Sequence, residues 1–302
     1  MEKILKIDIH AHATWYKGLF PPSPASGYPF LSGDELIAKY DQLGIEKGLL
    51  LPIVSPEGMV ATMTNENCYM IAKEYPDRYF WFCNVDPRGI NNSTKANLGY
   101  LLEYYKKLGA RGVGEMTSNI PIDDPKMENL FGYCEELEMP VLFHLSPAVG
   151  YSYGMVDDFN LPKLEGALKK FPKLKFIGHS QTFWSQMSGD LKEADRNGYP
   201  KGKVTPGGRI TELLRNYDNL WCDLSAGNGG NALMRDPEHA ASFLTEFQDR
   251  IMYGCDICAD SNTHPFVFRD FFDAFAESGA ISETVYRKVC RYNALKLLRC
   301  EE

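Results

Sequence analysis

The 302-residue chain lacks the features that mark membrane-bound and nucleic-acid-binding proteins. No hydrophobic run approaches the length of a membrane span, and 32 basic side chains against 40 acidic ones give a net charge of −8. This balance leaves no basic excess to neutralise phosphates, so we expect neither nucleic acid nor a membrane as a partner. Met1-Glu2-Lys3 leads straight into a strand-like run without a signal-peptide core, which favours a cytoplasmic protein.

The eight cysteines show no disulfide or zinc-knuckle pattern. They are scattered through apparent strands and helices, which is typical of reduced and mostly buried thiols. Cys255 and Cys258 have CxxC spacing, but no second CxxC exists to complete a four-cysteine zinc site. We therefore interpret this pair as structural.

One pattern occurs eight times along the chain: a short apolar run, a loop, and an amphipathic stretch. The runs are nearly continuous in apolar residues, which indicates parallel strands buried on both faces. Eight strands alternating with helices predict a (β/α)8 TIM barrel, and residues 1–302 suit a single domain with loop insertions. The strand-like runs are 4–12, 45–53, 78–85, 111–116, 140–145, 174–179, 220–224 and 250–255. The helical patterns include 33–43, 65–75, 94–108, 126–138, 162–171, 208–217, 237–247 and 265–278.

Histidine and acidic residues stand at the ends of several of these runs. His10 and His12 are two residues apart, so they project to one face of a strand, roughly 6.6 Å apart, where both can reach one cation. Active sites of such barrels lie at the carboxyl ends of the strands. The other residues at strand ends are Glu115, His144, His179 and Asp256. The sequence therefore predicts a metal-dependent enzyme.

Five segments carry a family resemblance: Asp8-Ile9-His10-Ala11-His12, Phe143-His144, Ile177-Gly178-His179, Tyr253-Gly254-Cys255-Asp256 and Tyr292-Asn293-Ala294-Leu295-Lys296-Leu297-Leu298. With them the chain resembles the amidohydrolase superfamily, in the amidohydrolase-related (amidohydrolase 2) branch that includes aminocarboxymuconate-semialdehyde decarboxylase and aromatic-acid decarboxylases. The resemblance implies that a catalytic divalent metal, usually zinc, is bound by His10, His12, His144 and Asp256. It also implies that His179 is an acid, a base or a water-positioning residue, or a ligand when a second metal is present.

Glu115 departs from the pattern of the decarboxylase-like members. Gly112-Val113-Gly114-Glu115 resembles the Gly-Glu segment of TatD-type metal-dependent hydrolases, in which the glutamate can bridge two metals. One carboxylate between two cations would neutralise charge that imidazoles cannot. The alternative is a glutamate that forms a hydrogen bond at the barrel rim, and the sequence leaves one metal or two open.

The same residues serve two reactions. A metal with an open coordination position lowers the pKa of a bound water to about 7, and Asp256 could take the proton of that water, which predicts a hydrolase of a small, carboxylated substrate. In the alternative, a decarboxylase or other lyase of an aromatic or muconate-type acid, Asp256 or His179 handles the proton that replaces carbon dioxide. A TatD-like nuclease is disfavoured by the acidic balance. A barrel that only binds a ligand is disfavoured because no expected metal position is missing.

Loops after the strands supply the candidates for substrate contact. The loop 13–32 is long and rich in aromatic residues, among them Trp15, and the loop 180–207 contains Trp184. Either loop could instead contact a second subunit, so a homodimer is possible. Arg235 precedes a helix start and Arg88 follows the third strand, so each could clamp a carboxylate, or form an ion pair at the rim. The glycine-rich segment 227–230 is expected simply to bend the chain.

Overall fold

The strands of the protein pair side by side in parallel. The computed structural model describes residues 4–16, 29–61 and 63–300. Within these residues the strands are β1 (Lys6–Ala11), β2 (Ile45–Leu50), β3 (Tyr79–Trp81), β4 (Val113–Met116), β5 (Val141–Ser146), β6 (Met155–Val156), β7 (Phe176–His179), β8 (Leu220–Asp223) and β9 (Ile251–Met252).

The strands close into a barrel. Strands β1, β2 and β3 pair in that order, and strands β4, β5, β7, β8 and β9 form the second parallel sheet. A bridge between Cys83 and Val113 joins the end of β3 to β4. On the other side, Ile9 N donates to Tyr253 O (3.1 Å) and Asp256 N donates to His10 O (2.8 Å). The eight-stranded barrel predicted from the sequence is confirmed, with β6 added outside it against the end of β5.

Helices surround the barrel. Their bounds are α1 (Gly33–Leu43), α2 (Asn65–Glu74), α3 (Gly89–Asn92), α4 (Gly99–Lys107), α5 (Pro125–Glu136), α6 (Pro162–Lys170), α7 (Gln181–Trp184), α8 (Arg209–Asn216), α9 (Ala226–Met234), α10 (Pro237–Glu246), α11 (His264–Glu277), α12 (Glu283–Arg287) and α13 (Asn293–Leu298). Short 3-10 turns occupy Pro56–Ala61, Ser185–Met187 and Glu193–Asp195, and a π-helical turn spans Lys288–Tyr292. In the described part of the chain, no helix combines the length and the apolar character that crossing a membrane requires.

The interior of the barrel is apolar at one end only. A buried cluster of strand residues, including Ile7, Leu142 and Trp221, packs against Leu295 and Leu298 of α13. A second, larger cluster fills the layer between the strands and the surrounding helices. Helix α13 covers this apolar end. The polar groups lie at the opposite end of the barrel, at the carboxyl ends of the strands.

The segment 227–230 is helical, and our expectation of a simple bend there was wrong. It lies inside α9, where a Cβ on Gly229 would come within 2.4 Å of Leu224 O. The tight packing of α9 against the end of β8 leaves no room for a side chain, so tertiary contact overrides the poor helix propensity of glycine. The helix predicted over 94–108 is also shorter, because α4 begins only at Gly99.

Candidate metal centre

Six side chains that the sequence places at strand ends meet at the carboxyl end of the barrel. Five of them are buried, whereas 26% of the side chain of Asp256 remains exposed. Pairing between β1 and β2 is irregular from Asp8 to Ala11, and such irregularities commonly redirect a side chain. Asp256 has a φ of 53°, a left-handed conformation that aspartate tolerates better than most residues. The six residues are His10, His12, Glu115, His144, His179 and Asp256.

The first group of donors contains both histidines of β1. His10 Nε2 lies 3.1 Å from His12 Nε2. Glu115 Oε2 lies 3.6 Å from His10 Nε2 and 3.3 Å from His12 Nε2, and Asp256 Oδ1 lies 3.6 Å from each of these nitrogens. Tetrahedral zinc with bonds of about 2.0–2.1 Å separates its ligand atoms by about 3.3–3.4 Å. These separations are close to that value, so His10, His12 and Glu115 form one possible ligand group, and Asp256 lies within reach of the same two histidines.

The second group of donors lies at the other oxygen of Glu115. His144 Nδ1 is 2.8 Å from Glu115 Oε1, and ligand atoms of Glu115, His144 and His179 lie within 4.8 Å of one another. The two oxygens of Glu115 thus face two different sets of histidines. His144, which the family resemblance grouped with His10 and His12, instead lies in the second group. This arrangement allows a bridging role for Glu115, as well as a simple hydrogen bond to His144.

Asp223, at the end of β8, is a residue of the site that the sequence analysis missed. Its Oδ2 accepts hydrogen bonds from His10 Nδ1 and Ser225 Oγ, both at 2.7 Å, and lies 3.1 Å from His179 Nδ1. Burial alone would raise the pKa of Asp223, but the charges of His10 and His179 hold that pKa well below its usual range. Gly254 allows this approach, since a Cβ there would lie 2.4 Å from Asp223 Oδ1. Asp223 links both donor groups.

The hydrogen bonds orient three imidazoles towards the centre. His12 Nδ1 donates to Leu51 O (2.9 Å), and His10 Nδ1 donates to Asp223. Ser225 Oγ donates to Asp223, so it accepts from His179 Nδ1 at 3.0 Å. Each ring therefore directs an unprotonated Nε2 inward when neutral. Lone pairs that face each other at 3.1 Å need a cation or a proton between them, so the donor set fits a metal ion.

The carboxylates of the site carry charge that a cation would balance. Burial works against the charged form of Glu115, but His10 and the other histidines outweigh it and hold the pKa of Glu115 well below its usual range. Burial also opposes protonation of His10, yet the charges of Asp256 and Asp223 raise its pKa well above the usual value. Burial lowers the pKa of His144 despite its contact with Glu115. The site thus concentrates negative charge in an interior where it is costly.

Two tyrosines form a wall beside these donors. The ring of Tyr153 lies against that of His144, with centroids 4.5 Å apart. Tyr199 is half exposed, and burial together with the charge of Asp256 raises its pKa. Both tyrosines belong to loops that follow barrel strands, and no motif in the sequence marked them.

The four residues predicted to contact the substrate lie in different surroundings in the structure. Trp184 is only 2% exposed, and its Nε1 donates to Asp223 O (2.9 Å), so it packs beneath the site and its predicted contact with substrate conflicts with this position. Trp184 is the last residue of the short helix α7, which follows His179 and directs the tryptophan ring into the core. Trp15 is partly buried near α2, where its backbone N–H donates to Asn67 Oδ1 (3.1 Å). The rest of the loop 13–32, from residue 17 to 28, lies outside the described residues.

The two arginines differ in what they contact. Arg88 forms a fork with Glu57 at 2.6 and 2.8 Å and also contacts Asp86 at 2.6 Å, so protein carboxylates already occupy its donors. Arg235 directly follows helix α9, which begins shortly after β8. Its Nη2 is buried and has no hydrogen-bond partner among the described residues. Arg88 is therefore engaged by protein carboxylates, whereas no ion pair of Arg235 is found among the described residues.

The chain belongs to the amidohydrolase family, whose model matches residues 7–300. The resemblance seen in the sequence is thus confirmed, and the protein is an enzyme of a metal-dependent family. No curated protein matches the chain in sequence.

Similar solved structures extend over almost the whole chain. 2,6-Dihydroxybenzoate decarboxylase from Rhizobium is 16% identical, with a TM-score of 0.61 over 97% of this chain and 98% of that chain. 5-Carboxyvanillate decarboxylase from Novosphingobium aromaticivorans, solved with manganese, is 17% identical, with a TM-score of 0.59 over 98% and 96%. A probable 2-pyrone-4,6-dicarboxylic acid hydrolase from Acinetobacter baumannii is 15% identical, with a TM-score of 0.62 over 98% and 100%. At these identities the likeness establishes the shared fold.

Proposed function

We propose that this enzyme is a metal-dependent, non-oxidative decarboxylase of a hydroxylated aromatic acid. The observation that carries the proposal is the position of Asp256, the most exposed of the six donors, beside the Tyr153 and Tyr199 wall. Aromatic side chains suit an aromatic ring, and an exposed carboxylate in a metal site can transfer a proton to it. Decarboxylases of such acids are also among the similar structures.

Two groups of side chains would bind the metal. His10, His12 and Glu115 would hold one ion, with Asp256 within reach of the same two histidines, and Glu115, His144 and His179 could hold a second. A bound divalent metal would polarise a substrate oxygen and lower the pKa of a coordinated water. Zinc is the ion we propose first, because imidazole and carboxylate donors at these separations suit it.

In the decarboxylation, the bond between the ring carbon and the carboxylate breaks and its electron pair stays on the ring carbon. Carbon dioxide leaves, and Asp256 delivers to that carbon a proton taken from the hydroxyl of the substrate. His179, whose Nε2 lies 4.0 Å from Asp256 Oδ2, orients the carboxylate, and Ser225 and Asp223 in turn orient His179. Asp256 is thus the catalytic residue and Asp223 a positioning residue.

Hydrolysis of a carboxylated substrate is the second candidate, and one observation favours it. Glu115 directs its two oxygens to two separate groups of histidines, as expected for a bridge between two cations. Paired ions about 3.5–4 Å apart stabilise both the attacking and the leaving oxygen in hydrolytic enzymes. In this reaction Asp256 would take the proton of the attacking water.

A substrate panel separates the two reactions. Protein loaded with zinc or with manganese is incubated with hydroxybenzoates, lactones and amides, and carbon dioxide, acid release and incorporation of 18O from labelled water are measured. Stoichiometric carbon dioxide without 18O supports decarboxylation, whereas 18O in the product without carbon dioxide supports hydrolysis and contradicts our first choice.

The Asp256→Asn variant tests the mechanism common to both reactions. Asparagine tolerates the left-handed backbone of this position, so the fold should persist while proton transfer is lost. We expect turnover to fall by at least about 100-fold. Retained turnover would refute the role of Asp256 in either reaction.

A further inference from the structure

We propose that His264, the first residue of α11, is a positioning residue that holds Asp256 in its left-handed conformation. This inference rests on the proposed function, in which Asp256 transfers the proton, and deepens it by identifying a residue that fixes Asp256 in place. His264 lies outside the group of six donors, and it contacts the backbone of the segment that carries Asp256. It therefore acts through Asp256 rather than on the substrate.

The peptide group between Cys255 and Asp256 is held at both of its polar atoms. Its N–H, which belongs to Asp256, donates to His10 O at 2.8 Å. Its carbonyl oxygen, which belongs to Cys255, accepts from His264 Nε2 at 2.8 Å and from Ala226 N at a longer 3.4 Å. Because a carbonyl oxygen can only accept, the imidazole carries a proton on Nε2. The shorter bond to this carbonyl thus comes from a side chain of α11.

This peptide group controls the conformation of Asp256. The peptide is planar, so fixing its plane restricts rotation about the N–Cα bond of Asp256, which is the angle φ. The φ of 53° is unfavourable for a residue with a Cβ and persists where surrounding contacts enforce it. Neighbouring backbone groups are also fixed: Cys255 N donates to Asp8 Oδ1 at 2.8 Å, and His12 N donates to Ile257 O at 3.2 Å. Loss of the imidazole would leave the carbonyl of Cys255 with the longer bond from the start of α9, and the strained conformation would be free to relax.

The conformation of Asp256 decides where its carboxylate lies. Asp256 Oδ1 lies 3.6 Å from His10 Nε2 and from His12 Nε2, and its Oδ2 lies 4.0 Å from His179 Nε2. A backbone rotation at Asp256 would move both oxygens relative to these nitrogens. A displacement of about 1 Å in a reacting group can lower a rate by about 100-fold. His264 therefore influences proton transfer although it does not touch the reacting atoms.

Crystal structures of the metal-loaded wild type and of metal-loaded His264→Leu test the positioning without requiring a substrate. Leucine fills similar space but has no N–H for the carbonyl of Cys255. We expect the carboxylate of Asp256 to move by about 1 Å or more in this variant, with a change of φ. A folded His264→Leu protein in which Asp256 superimposes on that of the wild type would overturn the proposal.

Two amide variants separate the hydrogen bond from the presence of a polar side chain. The NH2 group of His264→Gln can stand close to the position of the imidazole Nε2, so Asp256 should keep its wild-type position. The side chain of His264→Asn is one methylene shorter and does not reach the carbonyl, so Asp256 should move as in His264→Leu. This pair also provides the test if the leucine variant does not fold. An Asp256 that occupies the same position in both amide variants would contradict the role of His264.

His239→Leu is the matched control, because His239 also lies in the first turn of a helix that begins with proline after a barrel strand. Its ring stacks on Phe243 with centroids 6.1 Å apart, and its Nδ1 has no hydrogen-bond partner among the described residues. Asp256 should therefore stay in place when His239 is replaced. A shift of Asp256 of equal size in His239→Leu and His264→Leu would show a general structural effect and overturn the proposal.

Turnover of a substrate from the panel adds a kinetic test. We expect kcat of His264→Leu to fall about 10- to 100-fold while KM changes less than about threefold, since the substrate still binds but Asp256 is misplaced. His264→Gln should recover most of kcat. A rise in KM with unchanged kcat would contradict the proposal. The position of Asp256 is measured independently of the reaction, so an error in the reaction class and an error in the role of His264 give different results.

Discussion

Replacing Asp223 by asparagine should weaken metal binding although Asp223 would not itself touch the metal. Asp223 Oδ1 accepts from Ser225 N (2.8 Å), so the amide oxygen of asparagine should occupy that position. The NH2 group would then stand where Oδ2 now accepts hydrogen bonds. There it would face the N–H of His10, donor against donor, and Ser225 would have to turn its hydroxyl to accept from it.

The magnitude follows from the hydrogen bonds that are lost. His10 can restore its bond only by moving its proton to Nε2, the atom that faces the metal position. A charge-assisted hydrogen bond contributes about 1.5–3 kcal/mol, and loss of a partner that orients a ligand typically weakens metal binding about 10- to 100-fold. We therefore expect the zinc affinity of Asp223→Asn to fall by about 10- to 100-fold.

Competition with a chelator measures this affinity on protein whose folding is checked by circular dichroism. Ser225→Ala serves as the matched variant, because it removes one donor to Asp223 but leaves the acceptor of His10 in place. Its affinity should fall less than that of Asp223→Asn. A folded Asp223→Asn protein that binds zinc within threefold of the wild type would refute the orienting role of Asp223.

Two further variants test the charge arrangement. If Glu115 bridges two ions, Glu115→Gln should lose about one of two equivalents of metal by elemental analysis, because the carboxylate charge is needed for the bridge; a wild-type protein that saturates at one equivalent would contradict bridging. Arg88→Met should destabilise the protein by about 1–2 kcal/mol at pH 7 in urea unfolding, since it leaves Glu57 and Asp86 unpaired. Hydrogen bonds from Arg88 lower the pKa of Glu57, and they outweigh burial in lowering that of Asp86. Their stabilising effect is present above the usual carboxyl pKa near 4 and is lost below it, so the difference between variant and wild type should shrink in acid.

The sequence was sufficient for the barrel and for the convergence of these six side chains, because both follow from strand ends, while their roles as metal ligands stay predictions. Once eight parallel strands are assigned, their carboxyl ends must share one face, and polar residues there must meet. The division of these side chains into two groups could not be predicted from the positions of the strand ends. Whether Glu115 or His144 joins His10 depends on the irregular pairing of β1 and on side-chain directions that a spacing rule does not contain.

Trp184 and Asp223 show the limits of reasoning from position along the chain. Trp184 follows His179 closely in sequence, but the intervening turn and helix α7 direct its ring into the core. Asp223 satisfied the strand-end rule, since it is the last residue but one of the run 220–224, and the same rule applied without exception would have found it. Its partners lie on other strands, so its role in orienting imidazoles appears only in three dimensions.

The charges of the site connect the number of metal ions with the kind of substrate. Glu115, Asp223 and Asp256 bring three negative charges to neutral imidazoles in a largely buried site. One divalent ion leaves a net charge of −1, which repels an acidic substrate, unless a histidine also holds a proton. Two divalent ions leave a net charge of +1, which one substrate carboxylate would neutralise. Because charge in a buried site is costly, two ions and an acidic substrate form a mutually consistent combination.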